Sequence, residues 1–581
     1  MAIGRNFHLP RFHTGGDFEP QEDVALERSQ HRTVVVAGFI GVLVGLAVAG
    51  FERITSTLLF DNLVELPRWV QVIGPGVGLV VAALSLRWLA GGADSATADE
   101  YVRAFHAPEA RIDQRPVIGR MVAGVATLGS GGALGYEGPA LYVGAALASG
   151  VRRSFGRVVN RSDARALMVA GAAAGVSAVF KAPATGVLFA LEVPYIDDVA
   201  RRSLLPALAA SATGYLTYVS LVGTKPLFAL AGAGFDRFGM IELGGALVVG
   251  VLAGLGARVF VRCAKWAKDI SHHYSPWLRV PLCASGMALA TVLTFWLYGS
   301  ALNLGPGYRT YQWVADPTRA LALIALLLVI RLAVTTFTLA GGGVGGLFIP
   351  LVIQGLLVGR LVAGVVDALG LHRLGSLEAT STLFPILGVA AFLGAGYRTP
   401  IASVMFVAET TGKAVFVVPA LLASTVALLV MGRRSVSSAQ VSTRAGHLER
   451  RFRLPVTVAL RTDVLTVPPD ATVAEFVRDH VIGNRQRVVT VTDGLTYVGM
   501  CTVEAATQVP QEEWNTTAVA DIIPADLPVG STSWKVRDAV EAMDRSGLDR
   551  VAVVDEDGSF VGEVRWSELL ELDTVLRQTG R

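Results

Sequence analysis

Two apolar segments of this chain are interrupted by glycines and a proline, and each recurs about two hundred residues further on. The first pair is 129–144, GSGGALGYEGPALYVG, and 340–355, AGGGVGGLFIPLVIQG. At an offset of 211 residues Gly131, Gly132, Gly135, Pro139 and Gly144 fall on Gly342, Gly343, Gly346, Pro350 and Gly355. The second pair is 170–192, AGAAAGVSAVFKAPATGVLFALE, and 387–409, LGVAAFLGAGYRTPIASVMFVAE. At an offset of 217 Gly171, Ala173, Ala174, Ala178, Pro183, Val187, Phe189 and Glu192 fall on Gly388, Ala390, Ala391, Ala395, Pro400, Val404, Phe406 and Glu409. One such pair could reflect close packing of small residues alone. Two pairs in the same order imply a duplicated unit, with halves at roughly 33–222 and 239–432. An odd number of crossings per half would invert one half relative to the other.

Glycine admits non-helical dihedrals, and proline removes an amide donor and clashes with the preceding turn. Irregular backbone is costly in lipid unless protein or a water-filled cavity surrounds it. What it yields is a helix N-terminus at mid-membrane, whose unpaired N–H groups can hold an anion without a full buried positive charge. Paired half-membrane segments of this kind are a transporter solution.

The rest of the chain fits a membrane setting. Apolar stretches at 33–50, 71–86, 203–222, 239–261, 280–298, 319–340 and 413–431 approach or reach the roughly 20 residues that a spanning helix needs. Mean hydropathy is +0.52, and 17% of residues are charged, against about a quarter in soluble domains. Residues 1–32 carry Arg5, Arg11, Arg28 and Arg32 and read as a cytoplasmic N-terminal arm, with no cleavable signal pattern before the first apolar run. Cys263, Cys283 and Cys501 are scattered and offer no disulfide framework or metal cluster. Beyond residue 455 the balance turns acidic, 11 Lys/Arg against 21 Asp/Glu. The positive remainder fits charge retained at the cytoplasmic face, or a field that attracts an anion.

With Gly135-Tyr136-Glu137-Gly138-Pro139, Gly346-Leu347-Phe348-Ile349-Pro350 and the two Pro-containing segments 180–192 and 397–409 in this order, the chain resembles the voltage-gated chloride channel and chloride/proton antiporter family. The resemblance implies a homodimer with one anion pathway per subunit, short tilted helices and both termini in the cytoplasm. It makes Glu137 the gating glutamate: ionised, its carboxylate occupies an anion site and blocks the path; protonated or displaced, it opens it. A membrane carboxylate is in any case a functional candidate. Backbone amides around Gly138, Phe348 and Ile349 are the corresponding anion donors.

Four departures qualify the match. The family's first anion-binding segment is glycine-rich, whereas residues 93–100 read ADSATADE, leaving Ser95 or Thr97 as alternative hydroxyl donors. The family's tyrosine on the last membrane segment is matched by Ser437. The inner proton-accepting glutamate is matched by Val193, directly after Glu192, and Glu192 and Glu409 read as structural acids. Tyr136 replaces the basic residue before the gate. Lys181 and Arg398 read as helix-end anchors, with Lys181 and Tyr136 as candidates for an anion vestibule.

Residues 433–455 read as a basic linker. Two similar αβ units follow, 456–510 and 517–576, in which RVVTVTD at 487–493 parallels RVAVVDE at 550–556, with amphipathic helices expected at 472–482 and 533–545. The tail resembles a pair of cystathionine-β-synthase-like (CBS) domains. That resemblance allows adenine nucleotide binding, with Thr502 and Glu504 in one unit and Ser567 and Glu568 in the other as candidate contacts, or a purely stabilising dimer module.

The expected fold is an all-α polytopic membrane domain (33–432) with an inverted internal repeat and broken helices, followed by an α/β CBS-domain pair. The expected function is a passive, gated chloride-conducting channel in a plasma or inner membrane. The alternatives are a chloride/proton antiporter with an atypical inner proton route, and a non-transporting sensor that signals through the tail. Chloride is the expected ligand, protons a possible second, and no cofactor is required. Lipid and a second copy of the chain are the expected partners. The acidic tail gives no footprint for nucleic acid, and no nucleotide loop or catalytic constellation points to a pump or an enzyme.

Overall fold

Packing of small residues sets the architecture of the membrane unit. The computed structural model describes residues 20–154, 163–224, 239–316, 318–370, 377–442, 452, 454–525, 527–569 and 571. The chain divides into two units, 1–444 and 445–581. Residues 1–19 of the expected arm lie outside the described residues; Pro20 onward already belongs to the first helix.

The first half contains α1 (Pro20–Glu52), a π-helical stretch Arg53–Phe60, α2 (Asp61–Glu65), α3 (Arg68–Trp88), α4 (Ala98–His106), α5 (Val117–Gly129), α6 (Glu137–Ser154), α7 (Ala164–Phe180), α8 (Pro183–Glu192) and α9 (Leu204–Val222). The second contains α10 (Met240–His273), α11 (Pro276–Tyr298), α12 (Tyr308–Val314), α13 (Leu321–Ala340), α14 (Phe348–Ala368), α15 (Leu377–Tyr397), α16 (Pro400–Thr411) and α17 (Val417–Met431). Among the described residues eight helices are long and apolar enough to cross a membrane, while α5, α7 and α8 are shorter. Proline opens α8 and α16 at the first helical position, where its missing N–H costs nothing.

Helix α7 is buried along almost its whole length and has no polar face, which marks it as the centre of its half. A Cβ on Gly144 would strike the carbonyl of Gly171, and one on Gly171 that of Gly144, so α6 and α7 touch backbone to backbone. Gly355 and Gly388 do the same for α14 and α15. The outer helices repeat the pattern: Gly41 and Gly45 face the carbonyls of Ala210 and Gly214 on α9, and Gly250 and Gly254 face those of Ala423 and Ala427 on α17. The duplication thus extends to helices where the sequence segments showed no match.

The halves are joined by bonds in which equivalent residues exchange roles. Gly135 N donates to Gly346 O at 2.9 Å and Gly346 N to Gly135 O at 2.7 Å. Thr127 Oγ1 accepts from Val344 N at 3.1 Å, and Thr338 Oγ1 from Ala133 N at 3.3 Å. Such reciprocity defines a local two-fold relation. The two segments run antiparallel at the Gly135–Gly346 bridge, as an inverted repeat requires.

Residues 433–442, expected in the linker, are fastened to the membrane unit instead. Val436 and Ser437 are buried, and Gln440 Nε2 donates to the carbonyls of Val193 and Tyr397 at 2.9 Å each. Basic Arg433 and Arg434 disguised this segment as a linker.

The C-terminal unit contains β1 (Leu460–Arg461), β2 (Thr466–Val467), β3 (Val488–Asp493), β4 (Thr496–Thr502), β5 (Val529–Ser531), β6 (Arg550–Val554) and β7 (Phe560–Arg565). They form sheets of order β2-β3-β4 and β1-β7-β6-β5. Each has one parallel pair and one hairpin, with an irregularity at the same place, after Val491 and after Val553. One boundary differs from expectation: β1, placed in the first αβ unit by sequence, pairs with β7 of the second. The expected helices appear as Val473–Glu475 running into a π-helical Phe476–Gly483, and as Val536–Ser546. Fully buried Glu563 joins the two sheets, accepting from Thr490 Oγ1 at 2.5 Å and pairing with Arg565 at 2.8 Å.

Candidate functional site

Glu137 opens α6 and is 2% exposed. Its Oε1 accepts from the amide of Phe348 at 2.6 Å, the first residue of α14. Under the 211-residue offset Phe348 is the counterpart of Glu137, so a carboxylate from one half sits on the opposing helix N-terminus of the other. Ile349 follows in the same turn. Gly135 and Gly346 flank the carboxylate, and a Cβ on either would collide with it; glycine is needed here for clearance. The backbone of Gly138 in turn faces that of Gly346. A short charge-assisted bond to a helix N-terminus suits any small anion. Aromatic rings seal the surroundings: Phe180, Phe406 and Phe189 lie 4.3, 4.9 and 5.2 Å from the Phe348 ring.

A cavity of about 520 Å³ reaches this region, lined by Asp94, Ser95, Thr97, Asp99, Arg103, Lys268, Gly346, Leu347, Tyr397 and Val436 among others. Thr97 is buried, its Oγ1 points at Gly138, and that oxygen has no hydrogen-bond partner among the described residues. Ser95 lines the cavity but remains partly exposed. Of the two alternatives, Thr97 is the one adjacent to Gly138. Ser437 is buried, and its Oγ also lacks a partner among the described residues. Its neighbours Val436 and Ser438 line the cavity. Lys268 Nζ bonds Asp99 at 2.5 Å and the Val436 carbonyl at 2.8 Å, placing a neutralised pair on the wall.

Lys181 and Arg398 end α7 and α15 in left-handed conformation, with φ of 53° and 58°. The Lys181 ammonium lies 6.0 Å from the Tyr218 ring, and Arg398 pairs with Asp197 at 2.6 Å. Tyr136 is buried edge-on to Phe51. Val193, after Glu192, is also buried. Glu192 accepts from the amides of Ile401 and Ala402 at the start of α16, and Glu409 from those of Ala184 and Thr185 at the start of α8. Each acid therefore caps the helix that carries the other.

In the tail, Thr502 Oγ1 accepts from Ala505 N and caps a helical turn. Glu504 pairs with Arg487 at 3.0 Å and Glu568 with Arg461 at 3.3 Å, while Ser567 is exposed.

Sequence inspection missed Arg120 and Arg331, which also stand 211 residues apart. Arg120 is buried and clamps the Thr97 loop, with Nε on the Asp94 carbonyl at 3.0 Å and Nη2 on its carboxylate at 2.6 Å. Arg331 is buried and holds the equivalent loop through the carbonyls of Asn303, Gly305 and Pro306 at 2.8–3.0 Å. Asp94 and Gly305, whose carbonyls the two arginines grip, are themselves 211 apart. A charged residue repeated at the motif's own offset was the available signal. Each loop is thus shaped by a buried arginine of its own half, whether or not the loop carries glycines.

The family model for the voltage gated chloride channel matches residues 77–432, and that for the CBS domain matches 519–574. The chain is similar to the voltage-gated ClC-type chloride channel ClcB of Citrobacter koseri, 26% identical over 421 residues, covering 69% of this chain and 96% of that protein. It is 27% identical over 312 residues to the H(+)/Cl(-) exchange transporter ClcA of Vibrio cholerae, covering 52% and 64% respectively. A slow cyanobacterial Cl-/H+ antiporter has a similar fold, with a TM-score of 0.60, 20% identity, and coverage of 69% of this chain and 94% of that one.

Proposed function

Since the chain belongs to the voltage gated chloride channel family, we propose that it is a passive chloride pathway gated by Glu137. The observation that carries this reading is the Glu137 carboxylate seated on the Phe348 amide at the α14 N-terminus. That amide serves one negative group at a time, so the ionised side chain excludes an anion from it. Protonation removes the charge held by the helix end and lets the side chain leave, after which chloride takes the amides of Phe348, Ile349 and Gly138. Thr97 and Ser437 are the hydroxyls assigned to the inner side, and Lys181 with Tyr136 to a vestibule.

Buried Val193 supports a channel, because an aliphatic side chain at the family's inner proton position cannot relay protons. The second reading is a chloride/proton antiporter with another inner route. Relatives named as exchange transporters favour it. Reversal potentials in liposomes under opposed chloride and proton gradients separate the two. A potential set by chloride alone is expected, whereas a fixed displacement by the proton gradient establishes exchange. As in the family resemblance, a homodimer with cytoplasmic termini is the proposed assembly, and the mass of the detergent-solubilised protein tests it.

A further inference from the structure

We infer that the Tyr397 hydroxyl, supplied by the end of α15, closes the inner side of the anion site in this chain. This deepens the chloride-pathway reading and rests on it. Tyr397 is 3% exposed, and its hydroxyl oxygen accepts from the Leu347 amide at 3.4 Å, one residue before Phe348 at the α14 N-terminus. The same side chain lines the 520 Å³ cavity beside Leu347 and Gly346. It therefore stands at the cavity wall next to Gly346, one side of the glycine slot holding the Glu137 carboxylate. Among the described residues its own O–H proton has no acceptor. A hydroxyl that accepts from a helix-end amide keeps one proton to donate, and that proton suits an anion.

The internal repeat isolates what this tyrosine adds. Its counterpart at the end of α7 is Phe180, in the same position before a left-handed basic residue. Both rings pack in the aromatic cluster, Phe180 against Phe348 and Tyr397 edge-on to Phe189 at 5.2 Å. Packing alone is satisfied by phenylalanine in one half, so the hydroxyl in the other has a separate task. The main chain of Tyr397 is also braced, its carbonyl accepting from Gln440 Nε2. Ser437 offers a hydroxyl without an aromatic barrier, and it does not itself line the cavity.

The test uses the full-length protein in detergent, with wild type, Tyr397→Phe and Ser437→Ala compared by chloride calorimetry and by chloride-dependent melting. Loss of a hydrogen bond to a charged ligand should weaken chloride binding by Tyr397→Phe about tenfold, a larger loss than that of Ser437→Ala, whose hydroxyl brings no aromatic barrier. The melting temperature of Tyr397→Phe in chloride-free buffer should fall only by what the lost bond from the Leu347 amide supplies, whereas its rise with added chloride should shrink. The preference for chloride over iodide should also narrow, which a merely structural role would not cause, because the smaller halide is the stronger hydrogen-bond acceptor. Full chloride response in Tyr397→Phe, or the loss falling on Ser437→Ala instead, overturns the assignment and leaves the pathway standing. No chloride response in any of the three overturns the pathway reading as well.

Discussion

A carboxylate 2.6 Å from a backbone amide competes for that amide with any free anion. Replacing Glu137 by Gln keeps size and removes the charge that titrates. Chloride flux into liposomes by Glu137→Gln is therefore expected to persist or rise, with its dependence on pH largely gone; an unchanged pH profile would contradict the gate. Arg120 acts one step further back. Its guanidinium is buried against Asp94, and removing one partner of such a pair costs about 3–5 kcal/mol where the other stays uncompensated. Asp94 is partly exposed, so Arg120→Met should fall at or below the low end of that range. Because Arg120 also holds the Asp94 carbonyl, the Thr97 loop should loosen. Chloride affinity should fall along with melting temperature, and calorimetry beside thermal unfolding checks both.

Between elements, the exchanged caps tie the halves together across the local two-fold. Glu409 accepts from two amides and the Thr185 hydroxyl at 2.6–2.9 Å, and Glu192 from two amides at 2.8–3.2 Å. A negative group on two N-terminal amides satisfies orphan donors and complements the helix dipole. Glutamine offers one acceptor and sets an NH₂ against the other amide. Glu192→Gln and Glu409→Gln should each lower stability by about 1–3 kcal/mol. Because both acids secure the α8–α16 contact, the double variant should depart from additivity by about 0.5–3 kcal/mol. Unfolding in detergent measures this, and strict additivity would mean that the two ties act independently. These acids were legible as a repeated pair, since helix interruption demands rare residue types that stand out in an apolar sequence. Their reciprocal bonding was not, because a cap on a helix some 210 residues away leaves no local pattern. The outer repeat of Gly41 and Gly250 was hidden for another reason: close packing asks only for a small residue, and lipid-facing neighbours are free to differ.

At the scale of the whole molecule, the sequence anticipated two units of different chemistry, and its errors lie at their edges. Residues 433–442 read as linker from Arg433 and Arg434, while the burial of Val436 and Ser437 depends on partners such as Gly396 and Val193 far along the chain. Strand β1 was likewise assigned to its sequence neighbour rather than to β7. The tail needs no ligand to explain its cohesion, because Glu563 is already satisfied by Thr490, Arg550 and Arg565 across its two sheets. Of its candidate nucleotide contacts Thr502, Glu504 and Glu568 are engaged as well, while Ser567 is exposed. The Thr502 hydroxyl supplies an N-cap, a contact worth about 1 kcal/mol. Glu504 and Glu568 pair with Arg487 and Arg461, contacts near the surface that cost little to break. Only the cap therefore resists a nucleotide appreciably, yet the acids would have to abandon cations in order to meet a ribose. Calorimetry and melting of the full-length chain with millimolar ATP or AMP should show neither saturable heat nor stabilisation, and Thr502→Ala should lower tail stability by about 1 kcal/mol without altering that result. Saturable heat that disappears in Thr502→Ala would instead make the tail a nucleotide sensor.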